Sequence, residues 1–223
     1  MATVPTKDPI GLNTPLPASE VLRKRVMERV KEYMSRFDAS HDYQHIMRVL
    51  KLAERLFADT PAGTEYDETA IHLAALLHDV GDRKYIKPGE NAETLVATIL
   101  IEGGASIELA QKVWTIVRNV SFSNEVKNPD QVQRALRDHP ELAIVQDADR
   151  LDSLGGVGIG RAFAYGGAHG RTGLQGSIDH FEEKLFKISA WMKTDLGREM
   201  ARERTARLHQ FKSWWEEECE VIS

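Results

Sequence analysis

One stretch of this chain limits the folds open to it more than any other. Between Asp67 and Asp79 the run Ala-Ile-His-Leu-Ala-Ala-Leu-Leu-His-Asp is apolar almost all round. No broad polar face is left to meet water, so the segment predicts a helix in the middle of a core. Residues 70–80 form the longest strongly apolar stretch of the sequence. It falls far short of the roughly 20 residues that cross a bilayer, and it ends in charge.

Such a helix has to be enclosed by other elements, and the rest of the sequence offers helices. Ser19 reads as an N-cap for a helix running to about Phe37. Ser40 reads as the cap of the next, with Val49, Leu52, Ala53, Leu56 and Phe57 at helical spacing. Further helices are expected over 91–102, 106–119, 140–154 and 177–193, with a last one over about 197–219. Period-two alternation of β-branched residues is missing throughout. The expectation is an all-α helical bundle, with one domain over 19–223 and no internal repeat. Four of the eight prolines (Pro5, Pro9, Pro15, Pro17) fall at the start, which makes 1–18 an extended arm. Segment 153–176 holds nine of the sixteen glycines and reads as a loop between helices, a candidate lid over a substrate.

Composition excludes several function classes. The 223 residues are 42% hydrophobic and 28% charged, enough to build a core rather than a disordered chain. Lys and Arg number 29 against 34 Asp and Glu, giving a formal charge of −5. A broad positive field is therefore absent, which argues against nucleic acid or an anionic membrane as a partner. Cys219 is the only cysteine, so no intrachain disulfide forms. The opening twenty residues contain no apolar stretch of signal-peptide length, and the expected location is cytoplasmic.

Chemistry is suggested where polar residues sit on faces that should be buried, because an unpaired charge or imidazole there is costly. His45 shares a helical stripe with Val49, Leu52 and Leu56. His78 and Asp79 end the most apolar helix, and Asp149 follows Leu142 and Val145 at helical spacing. Four ligand-type side chains on three helices thus face inward. Two imidazoles and two carboxylates suit one divalent ion, with coordination positions left for water and substrate. The ion would also supply the charge that lets carboxylates stay ionised in a core.

These residues resemble a known family. His45 in His-Ile-Met-Arg-Val, the doublet in Leu-Leu-His-Asp-Val-Gly-Asp and Asp149 in Asp-Ala-Asp-Arg-Leu match, in order and spacing, the H…HD…D pattern of the HD-domain metal-dependent phosphohydrolases. The wider strings His-Asp-Tyr-Gln-His and His-Phe-Glu-Glu-Lys-Leu look like the small single-domain members of bacteria, fungi and plants, and the likeness covers about 20–210. It implies a metal held by His45, His78, Asp79 and Asp149, with manganese or magnesium foremost among Mn, Mg, Fe, Co, Ni and Zn. Relatives with two metals carry two more histidines between the doublet and the last aspartate, whereas only His139 lies there in this sequence. One metal is expected.

The resemblance further implies hydrolysis of phosphate esters or anhydrides by metal-activated water, with nucleotides or deoxynucleotides as substrates and pyrophosphate released from triphosphates. The alternatives are a 5'-nucleotidase acting on monophosphates and a nucleotide sensor that turns nothing over. Asp82, three residues after Asp79, is the candidate general base if the helix continues for another turn. Asp152 lies three residues after Asp149 and would project the same way, toward a metal-held water, Lys184 or a sugar hydroxyl. Arg83, Lys84 and Lys184 fall within the matching blocks and are candidates for the phosphates, and Lys184 stands at i+4 from His180. His41 is a further candidate phosphate contact. His41 and His45 mimic the H-E-x-x-H zinc motif, but Asp42 stands where that motif needs the longer Glu. Gly155 to Gly160 mimics a dinucleotide turn but follows no strand. The remaining partner is expected to be a second copy of the chain or none.

Overall fold

The computed structural model describes residues 17–82, 86, 89–170 and 173–220. Among the described residues there is no strand, as expected for an all-α chain. The helices in order are α1 (Ala18–Met34), α2 (Tyr43–Ala58), α3 (Glu68–Leu77), α4 (Ala92–Gly103), α5 (Ile107–Val117), α6 (Phe122–Lys127), α7 (Pro129–Asp138), α8 (Glu141–Asp152), α9 (Gly155–Ala168), α10 (Gln175–His180), α11 (Phe186–Ile188) and α12 (Asp195–Glu220).

Helix α3 takes the central place that its composition requires. Ile71, Leu73, Ala74, Ala75, Leu76 and Leu77 are all fully buried, with α1, α2, α5 and α8 packed around them. Asp67 caps this helix, its carboxylate accepting from Ala70 N at 2.9 Å. The same cap ties α3 to α8. Glu141, at the start of α8, accepts from Asp67 N at 3.0 Å and from Lys112 Nζ at 2.7 Å. Two helices that carry ligand-type residues at their far ends are thereby held at a fixed offset.

Several local expectations change. Helix α1 starts at Ala18 with Pro17 in the N-cap position, so Ser19 lies inside it, and residues 1–16 of the expected arm are outside the described residues. Ser40 does not cap α2. Asp42 does, accepting from His45 N at 2.9 Å, while the Ser40 hydroxyl is buried against Asp38. Helices α6 and α7, which the sequence did not signal, fill the interval 122–138.

Segment 153–176, expected as a loop, is largely helical: Gly155–Ala168 is helix α9, packed on α12, α10 and α8. Glycine is a poor helix former, and burial against neighbours overrides that preference. At Gly158 a Cβ would lie 2.1 Å from Ser153 O, so glycine lets α9 double back against the end of α8. The expected helix over 177–193 is interrupted. A π-helical turn at Phe181–Leu185 follows α10, and a 3-10 turn at Ser189–Trp191 follows α11.

A buried charge network fastens these last elements to α8. Arg150 is the largest fully buried side chain, donating to Glu125 of α6 and, at 2.8 Å, to Trp191 O. Lys193 Nζ lies 2.9 Å from the other Glu125 oxygen. Burial opposes ionisation of Glu125, but Lys193 and Arg150 outweigh it and hold its carboxyl below the usual range. Removing one member of such a pair strands the other charge in the core. Glu125→Ala is therefore expected to cost about 3–5 kcal/mol in urea unfolding. A loss under about 1 kcal/mol would show that the pair behaves as a solvated surface contact.

Candidate metal centre

The ends of α2 and α3 bring His45, His78 and Asp79 into one cluster, and α8 sets Asp149 beside it. His45 sits in the first turn of α2, where the Asp42 cap fixes the helix start. His78 and Asp79 follow α3 directly, and Asp149 lies in the last turn of α8. The Nε2 atoms of His45 and His78 are 3.0 Å apart. Asp79 Oδ2 is 3.3 Å from the first and 3.5 Å from the second, and Asp149 Oδ1 is 3.7 Å from both. The structure thus brings His45, His78 and Asp79 together, with Asp149 facing both imidazoles.

The hydrogen bonds behind the two rings decide what the cluster can hold. His78 Nδ1 lies 2.8 Å from the carbonyl of Ala75, and His45 Nδ1 lies 2.7 Å from Asp152 Oδ2. Both partners are acceptors, so each Nδ1 carries a proton and each Nε2 presents a lone pair when the ring is neutral. Two lone pairs at 3.0 Å repel unless a proton or a cation lies between the donors. Asp79 Oδ2 is buried there without a hydrogen-bond partner. Nitrogen and carboxylate donors with an orphaned buried oxygen fit a divalent cation.

The carboxylates around His45 favour its protonated form. Burial and the charge of Arg161 both oppose protonation of His45, but the Asp152 and Asp79 carboxylates outweigh them and raise its pKa. Burial likewise works against the Asp79 anion, yet the two neighbouring imidazoles hold its carboxyl well below the usual range.

The centre lies in a cavity of about 730 Å³. Asp82 lines it, though not by helix continuation. Helix α3 stops at Leu77, and the chain turns through Gly81 at φ 77°, where a Cβ would lie 2.6 Å from Ala92 Cβ. His41 and Lys184 also line the cavity, as does His180. A π-helical turn, Phe181–Leu185, runs between His180 and Lys184, and both line the cavity.

Asp152 is the clear correction. It does not project into the cavity beside Asp149. It is buried behind His45, where it also accepts from Arg48 and Arg161. Burial opposes its ionisation, and the His45 and Arg48 hydrogen bonds with the Arg161 charge reverse this, so its carboxyl stays far below the usual range. Arg83 and Lys84 lie outside the described residues. His139 ends α7 and is not among the residues lining the cavity.

Other cavity residues escaped the sequence reading: Arg118, Phe122, Asn124 and Lys127 from α5–α6, and Arg161 and Tyr165 from α9. Their helices are distant in sequence from the ligands, and no local pattern marks them. Arg48, which does not line the cavity but bonds Asp152 behind His45, did leave a signal, standing three residues after His45 on the same helix.

The HD domain family model matches residues 42–154, which include every ligand candidate. This chain belongs to the HD-domain family. It is 34% identical over 188 residues to the uncharacterized protein YpgQ of Bacillus subtilis (strain 168), covering 82% of this chain and 86% of that one. The crystal structure of Bacillus subtilis YpgQ in complex with ADP superposes with a TM-score of 0.71 at 29% identity, covering 91% and 97% of the two chains. An HD-superfamily hydrolase from Bacillus thuringiensis superposes with a TM-score of 0.68 at 31% identity, covering 91% and 98%. The HD fold and hydrolase kinship agree with the cluster, since HD domains bind divalent metals. Among the described residues no helix is long and apolar enough to cross a membrane.

Because the folded pKa of His45 is raised, the stabilisation from its charged ring is complete below the unfolded pKa and is lost as pH rises through the folded one. A cation has to displace that proton, so it binds more tightly as pH rises over the same window. Mn(II) titration followed by electron paramagnetic resonance should give a lower Kd at about pH 8 than at about pH 6. Equal values would remove His45 from the ligand set.

Proposed function

We propose that this chain is a one-domain, metal-dependent phosphohydrolase acting on nucleotides or deoxynucleotides, releasing pyrophosphate from nucleoside triphosphates. One observation carries the reading: His45, His78 and Asp79 cluster, with Asp149 3.7 Å from both imidazoles, in a cavity that also presents cationic side chains. His45, His78, Asp79 and Asp149 would hold one divalent ion, manganese or magnesium foremost. When bound, such an ion acidifies water and offsets charge that gathers on phosphoryl oxygens.

The chain's own groups supply the rest. Asp82 takes the proton of the attacking water, the role its place in the cavity allows. The water oxygen bonds to the α-phosphorus as the bond from that phosphorus to the α–β bridging oxygen breaks, and pyrophosphate leaves with the bridging oxygen. Lys184, Arg118 and Lys127 neutralise phosphate oxygens, and His41 offers a further contact at the same cavity. That positive charge has to be local, since the chain as a whole carries −5. The complex of the related YpgQ with ADP supports a nucleotide as the occupant. Arg83 and Lys84 belong to this reading on sequence resemblance alone.

The test is product analysis on ribo- and deoxynucleoside mono-, di- and triphosphates, with single metals returned to chelator-stripped protein. Pyrophosphate and monophosphate from triphosphates, only with metal present, are expected. Inorganic phosphate from monophosphates would assign a nucleotidase instead, and binding without turnover would assign a sensor. Asp82→Asn should lower kcat by about 10²–10⁴-fold and leave the Mn(II) Kd within about twofold of wild type. An unchanged kcat would remove Asp82 as the base.

A further inference from the structure

We infer that Arg161, on the glycine-rich helix α9, is a positioning residue for the cation site, an inference that rests on the metal reading above. Asp152 is the carboxylate that fixes the tautomer of His45, and only 2% of its side chain is exposed. Its Oδ1 accepts from Arg48 Nε at 2.8 Å. Its Oδ2 accepts from His45 Nδ1 at 2.7 Å and from Arg48 and Arg161 at 3.1 Å each. Arg48 comes from the same helix as His45 and is 34% exposed. Arg161 is 14% exposed and comes from a different helix.

The second bond of Arg161 bears on the same ligand. Its Nε donates to Ser40 O at 2.8 Å, in the turn just before the Asp42 cap that starts the His45 helix. One planar guanidinium therefore fixes both the carboxylate behind the His45 ring and the backbone that leads into it. A fork with two donor directions can do this, whereas an ammonium is a single point. Partners that orient a metal-bound histidine typically change metal affinity by 10–100-fold when lost. Helix α9, though it contributes no ligand, is in this way part of the metal centre.

Arg161 also lines the cavity, so activity alone would not separate positioning from contact with substrate. The readout is the Kd of Mn(II) alone, without nucleotide, at a temperature where each variant is folded by circular dichroism. Arg161→Gln should raise the Kd about tenfold or more. Arg161→Lys should fall between it and wild type, and it carries the test if the Gln variant does not fold. Ser177→Ala loosens α9 from another side, since that hydroxyl donates to Ala162 O at 3.2 Å, and it should keep the wild-type Kd. Values for both Arg161 variants within about twofold of wild type overturn the inference, as does an equal rise in Ser177→Ala. Asp149→Ala separates the two readings. If wild type binds Mn(II) tightly and Asp149→Ala does not, the site stands and Arg161 is judged on its own. Absence of tight binding by wild type overturns the metal reading and this inference with it.

Discussion

Two imidazoles are held with their Nε2 lone pairs facing each other at 3.0 Å, and the surrounding structure is arranged to keep them there. Each ring is pinned from behind, His78 by a carbonyl of its own helix and His45 by Asp152. The carboxylates of Asp79 and Asp149 close on the same point from two other directions. Bringing α2, α3 and α8 to that register requires anchors away from the site. The Asp67–Glu141–Lys112 group supplies one at the near ends of α3 and α8. Asp147 supplies another, its carboxylate accepting from the backbone of Lys193 and Thr194 at 2.9 and 2.7 Å. The centre is thus a property of helix packing rather than of any one loop.

Charge is handled in a consistent way around it. Asp152, Glu125 and Arg150 are all buried, and each is met by partners of opposite charge rather than left to solvent. In a low-dielectric interior such pairs are costly to break. They connect the centre outward, through Arg161 to α9 and, beside Asp149, through Arg150 to α6 and the turn at Trp191. The cavity wall and the ligand helices consequently form one packed unit.

The departures from ordinary helix chemistry fall around the same cavity. Gly158 lets α9 fold back on α8, and Gly81 turns the chain tightly past Ala92 just before Asp82. The π-helical turn at Phe181–Leu185 sets where Lys184 meets the cavity. Such irregularities concentrate at functional sites.

What the sequence determined by itself was the all-α class, the central place of α3 and the four inward ligand candidates. Each rests on local periodicity, which burial imposes directly on residue order. The helix starts expected at 91 and 106 hold, each side chain accepting from the backbone three residues on, whereas the caps read at Ser19 and Ser40 fall elsewhere, on Pro17 and Asp42. Tertiary structure alone decided the rest. It moved Asp152 from the cavity to the back of His45, since a carboxylate one helical turn from a ligand can face either the ion or the ring that holds it. It made a helix of the glycine-rich segment, because packing against α12 outweighs weak intrinsic propensity. It brought Arg161 to Asp152 and Arg150 to Glu125, contacts between helices remote in sequence that no short-range pattern encodes.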